Sequence, residues 1–161
     1  MVETLDDRRY AGVVPDGPYA HLAGHRFPGG RTVVPLWMNR LWCDAVGATR
    51  DTMPFVHPVL VYYAAVQGSG VEFADIFSLL DGSSDSGIMV GEQRFDFTAG
   101  MEVDREYGVD GGITDVVRKS GRRAGIFDIA TFELRVCNGS QATPVAVSTT
   151  SFIFPRRADT A

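Results

Sequence analysis

Cysteine, lysine and long apolar runs are all scarce in this 161-residue chain. The two cysteines, Cys43 and Cys137, lie far apart with no Cys-x-x-Cys spacing, which excludes a disulfide framework and a zinc site. Each has apolar neighbours, so the expected state is a reduced, buried thiol in a cytoplasmic protein. The longest uninterrupted apolar run, Val59 to Val66, is far shorter than the roughly 20 residues a membrane-spanning helix needs, so no membrane partner is expected. Positive charge is in deficit: the formal net charge is −5, which argues against nucleic acid as a partner. The start, Met1-Val2-Glu3-Thr4-Leu5-Asp6-Asp7, has no basic stretch followed by an apolar one, so no signal peptide is expected. Familiar catalytic signatures are missing too. There is no Gly-x-Ser-x-Gly. The glycines at 108–112 lead into a strand pattern rather than a helix, which excludes a phosphate loop. His21 and His25 have no Asp, Glu or Cys at metal spacing, so neither metal nor cofactor is expected.

What is present suits one globular domain. Hydrophobic residues make up 45% and charged residues 22%. A chain of this length hides roughly 70% of its unfolded surface and needs no staples. Residues 1–30 are broken repeatedly, at Pro15-Asp16-Gly17-Pro18, Gly24 and Pro28-Gly29-Gly30, and read as an arm. Residues 31–157 form the domain, and 158–161 a tail.

Thr32 to Leu36 reads as a short strand. A helix follows from Trp37 to Val46, with Trp37, Met38, Leu41, Trp42 and Ala45 on one side and Gly47 at its end. Eight consecutive apolar residues, Val59 to Val66, suit strand or helix by periodicity alone. The ends favour helix: Pro58 fits its first position, and Gly68 the place just past it. Being apolar all round, that helix must be surrounded by protein. A second, amphipathic helix fits Glu72 to Leu80. Four strands then follow: Ile88 to Phe97, Glu102 to Val117 with a bend at its glycines, Gly125 to Cys137, and Val145 to Phe154. Lys119-Ser120-Gly121 and Asn138-Gly139 have hairpin-turn composition. A sheet of that size must bury one face, and the Val59–Val66 helix is the only element apolar enough to fill it. The fold class is therefore α+β: a single hot-dog fold, a curved antiparallel sheet wrapped around a central buried helix.

Four stretches carry a family resemblance: Ala45-Val46-Gly47; His57-Pro58-Val59-Leu60; Gly91-Glu92-Gln93-Arg94-Phe95; and Val116 to Asp128 with Phe152 to Arg156. In this order and spacing the chain resembles the MaoC-like hydratase/dehydratase family, and within it the N-terminal (FAS1-like dehydratase) half. The resemblance implies hydration of a trans-2-enoyl thioester or dehydration of its (3R)-3-hydroxy form. The acyl chain would be carried by coenzyme A or an acyl carrier protein, in lipid or polyketide metabolism. The family's catalytic pair is an Asp and a His with four residues between them, in an Asp-x-Asn-Pro-x-His stretch. One group moves a proton at the α-carbon while water is handled at the β-carbon. A backbone N–H at the central helix steadies the thioester oxygen.

The chain departs from that pattern. Asp51 and His57 have five residues between them, and Met53 stands in place of the Asn. Two readings follow: a rearranged Asp51/His57 catalytic pair, or a His57 that matches only the helix-opening His. In the second, Pro58 replaces the Gly whose N–H would face the thioester, and proline has no N–H. The resemblance then implies a half without the catalytic motif, paired with a second hot-dog subunit that carries it, or with itself. Arg118, Lys119, Arg122 and Arg123 could meet coenzyme A phosphates or the acidic face of a carrier protein. Their alternative is a solvated hairpin tip. Glu92 belongs to the family motif, and its alternative is a solvent-facing strand position. Two other functions remain: a non-catalytic acyl- and partner-binding module, and a hot-dog thioesterase. The thioesterase would want a carboxylate on or near the central helix, and none interrupts Val59 to Val66.

Overall fold

Side-chain alternation after residue 88 produces four long strands in the computed structural model, which describes residues 17–49, 54–139 and 143–156. These are β2 (Met89–Phe97), β3 (Glu106–Gly121), β4 (Gly125–Cys137) and β5 (Ala146–Arg156); a short β1 (Gly30–Val33) precedes them. Every pairing is antiparallel, in the order β1-β3-β4-β5-β2, so β1 and β2 are the two edges of an open sheet. Three helices lie between β1 and β2: α1 (Leu36–Val46), α2 (Leu60–Gly68) and α3 (Phe73–Leu79). One sheet face is buried. On β4, Ala130, Phe132, Leu134 and Val136 alternate with half-buried residues, and on β5 Ala146, Ser148, Thr150, Phe152 and Phe154 do the same. α2 lies across this face against β1, β3, β4 and β5, burying Leu60, Val61, Ala64 and Ala65. α3, started by a Glu72/Asp75 capping box, closes one side with Phe73 and Phe77 edge-on to Phe152 at 5.5 and 5.2 Å.

Several boundaries differ from the sequence expectation, each for a physical reason. β1 ends at Val33 rather than Leu36, because α1 starts immediately after Pro35 with the Leu36 N–H donating to Asp104 Oδ1 at 2.9 Å. α2 starts at Leu60 and runs through Gly68 instead of stopping before it. Gly68 sits where the helix meets β3: a Cβ there would lie 2.8 Å from Val109 Cβ, so glycine permits close approach rather than termination. β3 starts four residues later than expected, after a turn in which Asp104 takes φ 57°. It then runs to Gly121, which moves the hairpin turn from Lys119–Gly121 to 122–124. The irregularity in β3 falls between Ile113 and Asp115, not at its glycines.

Two corrections concern which faces are covered. α1 forms as expected and ends at Gly47 with φ 66°, but Trp37, Leu41 and Trp42 of its apolar side are exposed, and only Met38 packs half-buried against the core. It buries Asn39 and Cys43 instead, because the Asn39 amide is bonded to backbone beneath the helix. α2 is not wrapped on all sides either. Val59 at its start and Tyr63 are 46% and 37% exposed, on the side facing away from the sheet.

Candidate functional site

A cavity of about 590 Å³ opens where the chain enters α2. Its walls come from three segments: Ala48–Thr49 after α1, Phe55–Pro58 with Val61, and Phe97–Met101 after β2. The second and third are zipped together by backbone bonds, Val56 N–H to Met101 O at 2.7 Å and Val103 N–H to Pro54 O at 2.9 Å. Asn39, fully buried on α1, holds the other side. Its Nδ2 donates to Phe55 O at 3.0 Å, and its Oδ1 accepts the His57 N–H at 2.7 Å. A segment tied along both sides keeps its shape, which suits a binding wall. The lining is mainly apolar, and His57 is its one titratable side chain among the described residues. That chemistry fits an apolar chain bearing one polar end.

Sequence reasoning placed His57 here but missed Asn39 and the Ala99–Gly100 wall. The signal for Asn39 was available: an amide among Trp37, Met38, Leu41 and Trp42, four residues before Cys43 on one helical face. Asp51 lies outside the described residues.

The helix start offers no spare donor. Pro58 has no N–H. The Val59 N–H points to His57 Nδ1 at 3.4 Å, and Leu60 and Val61 donate to His57 O and Pro58 O at 2.9 and 3.1 Å. The donors that usually stay open at a helix N-terminus are thus engaged within the turn.

The other singled-out residues lie elsewhere. Glu92 projects from the opposite sheet face, since its neighbours Gln93 and Phe95 turn inward, Gln93 to Thr150 and Ser148 and Phe95 to Tyr62. It borders a shallow groove of about 390 Å³ with Arg94, Thr149 and Ser151. Arg118 is engaged by buried Asp128, with Nε to Oδ1 at 2.7 Å and Nη2 to Oδ2 at 2.9 Å, and Arg156 Nε reaches Oδ2 at 2.7 Å. Burial pushes the Asp128 carboxyl up, but hydrogen bonds and charge from Arg118 and Arg156 outweigh it and hold the group below the usual carboxylate range. The Asp128 hydrogen bond raises Arg118 above its ordinary value. Lys119 stands on β3 opposite Phe127, and Arg122 and Arg123 are exposed in the turn. This basic end and the cavity end are separated by the length of β4, about 33 Å from Ile126 to Val136. One chain therefore does not bring Arg122 and Arg123 to His57.

Comparison with known proteins defines the fold class. The chain adopts the hot-dog fold. It superimposes on a chain of the ChsH1–ChsH2 complex from Mycobacterium tuberculosis with TM-score 0.67 and 14% identity, covering 88% of this chain and 92% of that one. A monoamine oxidase regulatory protein from Archaeoglobus gives TM-score 0.54 at 9% identity, covering 83% and 90%. A MaoC-like dehydratase from Rhodospirillum rubrum gives 0.45 at 17%, covering 84% and 94%. No family model and no curated protein matches the chain.

Proposed function

We propose that the chain is the non-catalytic, substrate-binding half of a two-subunit, MaoC-like enoyl-thioester hydratase or (3R)-hydroxyacyl-thioester dehydratase. The observation that carries this is the start of α2. The reaction places negative charge on the thioester oxygen, which needs an open N–H donor. Here Pro58 has none, and the next three N–H groups are already bonded. His57 Nδ1 accepts the Val59 N–H, so that nitrogen is committed as well. The motif resemblance and the 0.67 match to a chain of a two-component complex support a partnered role.

The edge β2 is the natural seam. Its outer side pairs with no strand among the described residues, and it exposes Met89, Val90 and Phe97. A second hot-dog subunit added there antiparallel extends the sheet. Two-fold pairing along β2 sets the basic end of each chain beside the cavity end of the other. Arg122 and Arg123 then reach the phosphates of coenzyme A, or an acidic carrier protein, serving the partner's site. The partner brings the Asp/His pair that moves the protons. This chain's apolar cavity shapes the acyl path.

The test is hydration of crotonyl-thioester by the purified chain alone and with a second hot-dog subunit carrying the four-residue Asp/His spacing. Turnover only in the pair is expected. Turnover by the chain alone, lost in Asp51→Asn or His57→Ala, would establish the rearranged catalytic pair instead.

A further inference from the structure

Two aromatic rings stand half in solvent on the walls of the cavity at the start of α2: Phe55 and Phe97 are each 46% exposed. Exposed apolar residues are ordinary when scattered. These two come from different segments and border one apolar space, as rings in a ligand site do. The polar groups beside Phe97 are already used. The Thr98 hydroxyl donates to Pro144 O, and the Thr98 and Ala99 N–H groups donate to Val145 O at 3.0 and 3.2 Å. That wall therefore meets a ligand with apolar surface.

Phe55 has a seat of its own. Its main chain is held on both sides. The carbonyl accepts from Asn39 Nδ2, the residue bridges antiparallel to Glu102, and the next N–H, of Val56, donates to Met101 O. Its ring lies against Gly100: a Cβ on that glycine would fall 2.6 Å from Phe55 Cδ1 and 2.9 Å from Cε1. Gly100 does not take a positive φ, so its backbone conformation does not demand glycine. The close approach of the ring does.

We propose that Phe55, seated on Gly100, sets how much acyl chain the cavity accepts. The inference rests on the reading of this cavity as an acyl site and adds the substrate class: acyl chains well beyond four carbons. With a methylene taken as about one water's share of liquid volume, roughly 30 Å³, a four-carbon acyl group fills only about a fifth of the 590 Å³. Longer chains fill the space until they meet the ring. Removing the ring adds room. A methyl on Gly100 takes room away, because a contact at 2.6 Å forces the ring off its seat and the held main chain lets only the side chain move.

Binding of saturated acyl-pantetheine thioesters of increasing length to the full chain tests this. Fluorescence of Trp42 reads it, since that ring's centroid lies 6.4 Å from the centroid of His57 in the cavity wall. Each carbon that becomes buried should tighten binding by up to about fourfold, and the gain should stop at the length that fills the cavity. Phe55→Ala is expected to move that limiting length up by about two carbons, and Gly100→Ala to move it down by about two. In the Phe55→Ala background, Gly100→Ala should shorten it far less, since no ring remains to be displaced. Thermal melts confirm that each variant is folded. A uniform loss of affinity at every length overturns the inference, and so does a Gly100→Ala effect that is the same with and without the ring. Wild-type chain that binds no length overturns the acyl reading of the cavity as well. Variants that bind with the wild-type limiting length overturn this inference alone.

Discussion

Asp128 is the buried carboxylate on which two guanidiniums converge, at 1% exposure. Its folded pKa lies below the ordinary value, so it stabilises the fold above its unfolded pKa of about 4. That stability is lost as pH falls through the folded value. Urea midpoints should therefore decline below about pH 4, and Asp128→Asn should flatten that acid limb. The same substitution should cost about 3 kcal/mol at pH 7, because two largely buried cations lose their anion. An unchanged midpoint at neutral pH would contradict the assignment. The sequence placed Arg118 in a basic hairpin cluster; the cross-strand pairing Arg118↔Asp128 separates it from the exposed Arg122 and Arg123. Local sequence cannot show such a pair, since charge runs look alike whether solvated or engaged. Asn39 escaped notice for a related reason. Helix periodicity groups Trp37, Met38, Leu41 and Trp42 on one side, but the Asn39 amide's two backbone bonds decide which face turns to the core.

At the level of elements, the strand pattern and all three helices were legible, because alternation and helical periodicity are imposed by one-sided burial. β4 spans Gly125–Cys137 as expected, and α1 and α3 are within one residue at each end. Ends set by tertiary contact were not legible. Gly68 is the clearest example: composition reads it as a stop, whereas the contact with Val109 makes it an approach point. The two readings predict opposite signs for Gly68→Ala. Helix propensity alone would stabilise by about 1 kcal/mol. Contact with Val109 should destabilise by about 1–3 kcal/mol, and chemical denaturation decides between them.

For the whole molecule, the central helix was expected to be enclosed, yet Val59 and Tyr63 reach solvent and β2 keeps an open edge. Periodicity counts apolar positions around a helix but not how far the rest of the chain reaches over them, so full enclosure was read into a helix whose outer side this chain leaves open. If the basic turn of this chain serves the partner's site, Arg122→Glu with Arg123→Glu should raise the KM of the complex about tenfold or more and leave kcat nearly unchanged. A fall in kcat with KM intact would place those arginines outside substrate binding. The measurement closest to the central claim is crotonyl-thioester hydration by the chain alone, followed by addition of a hot-dog subunit bearing the four-residue Asp/His spacing. The account predicts no turnover above background alone and turnover on mixing that survives His57→Ala in this chain. Hydration by the isolated chain that disappears in His57→Ala would contradict it.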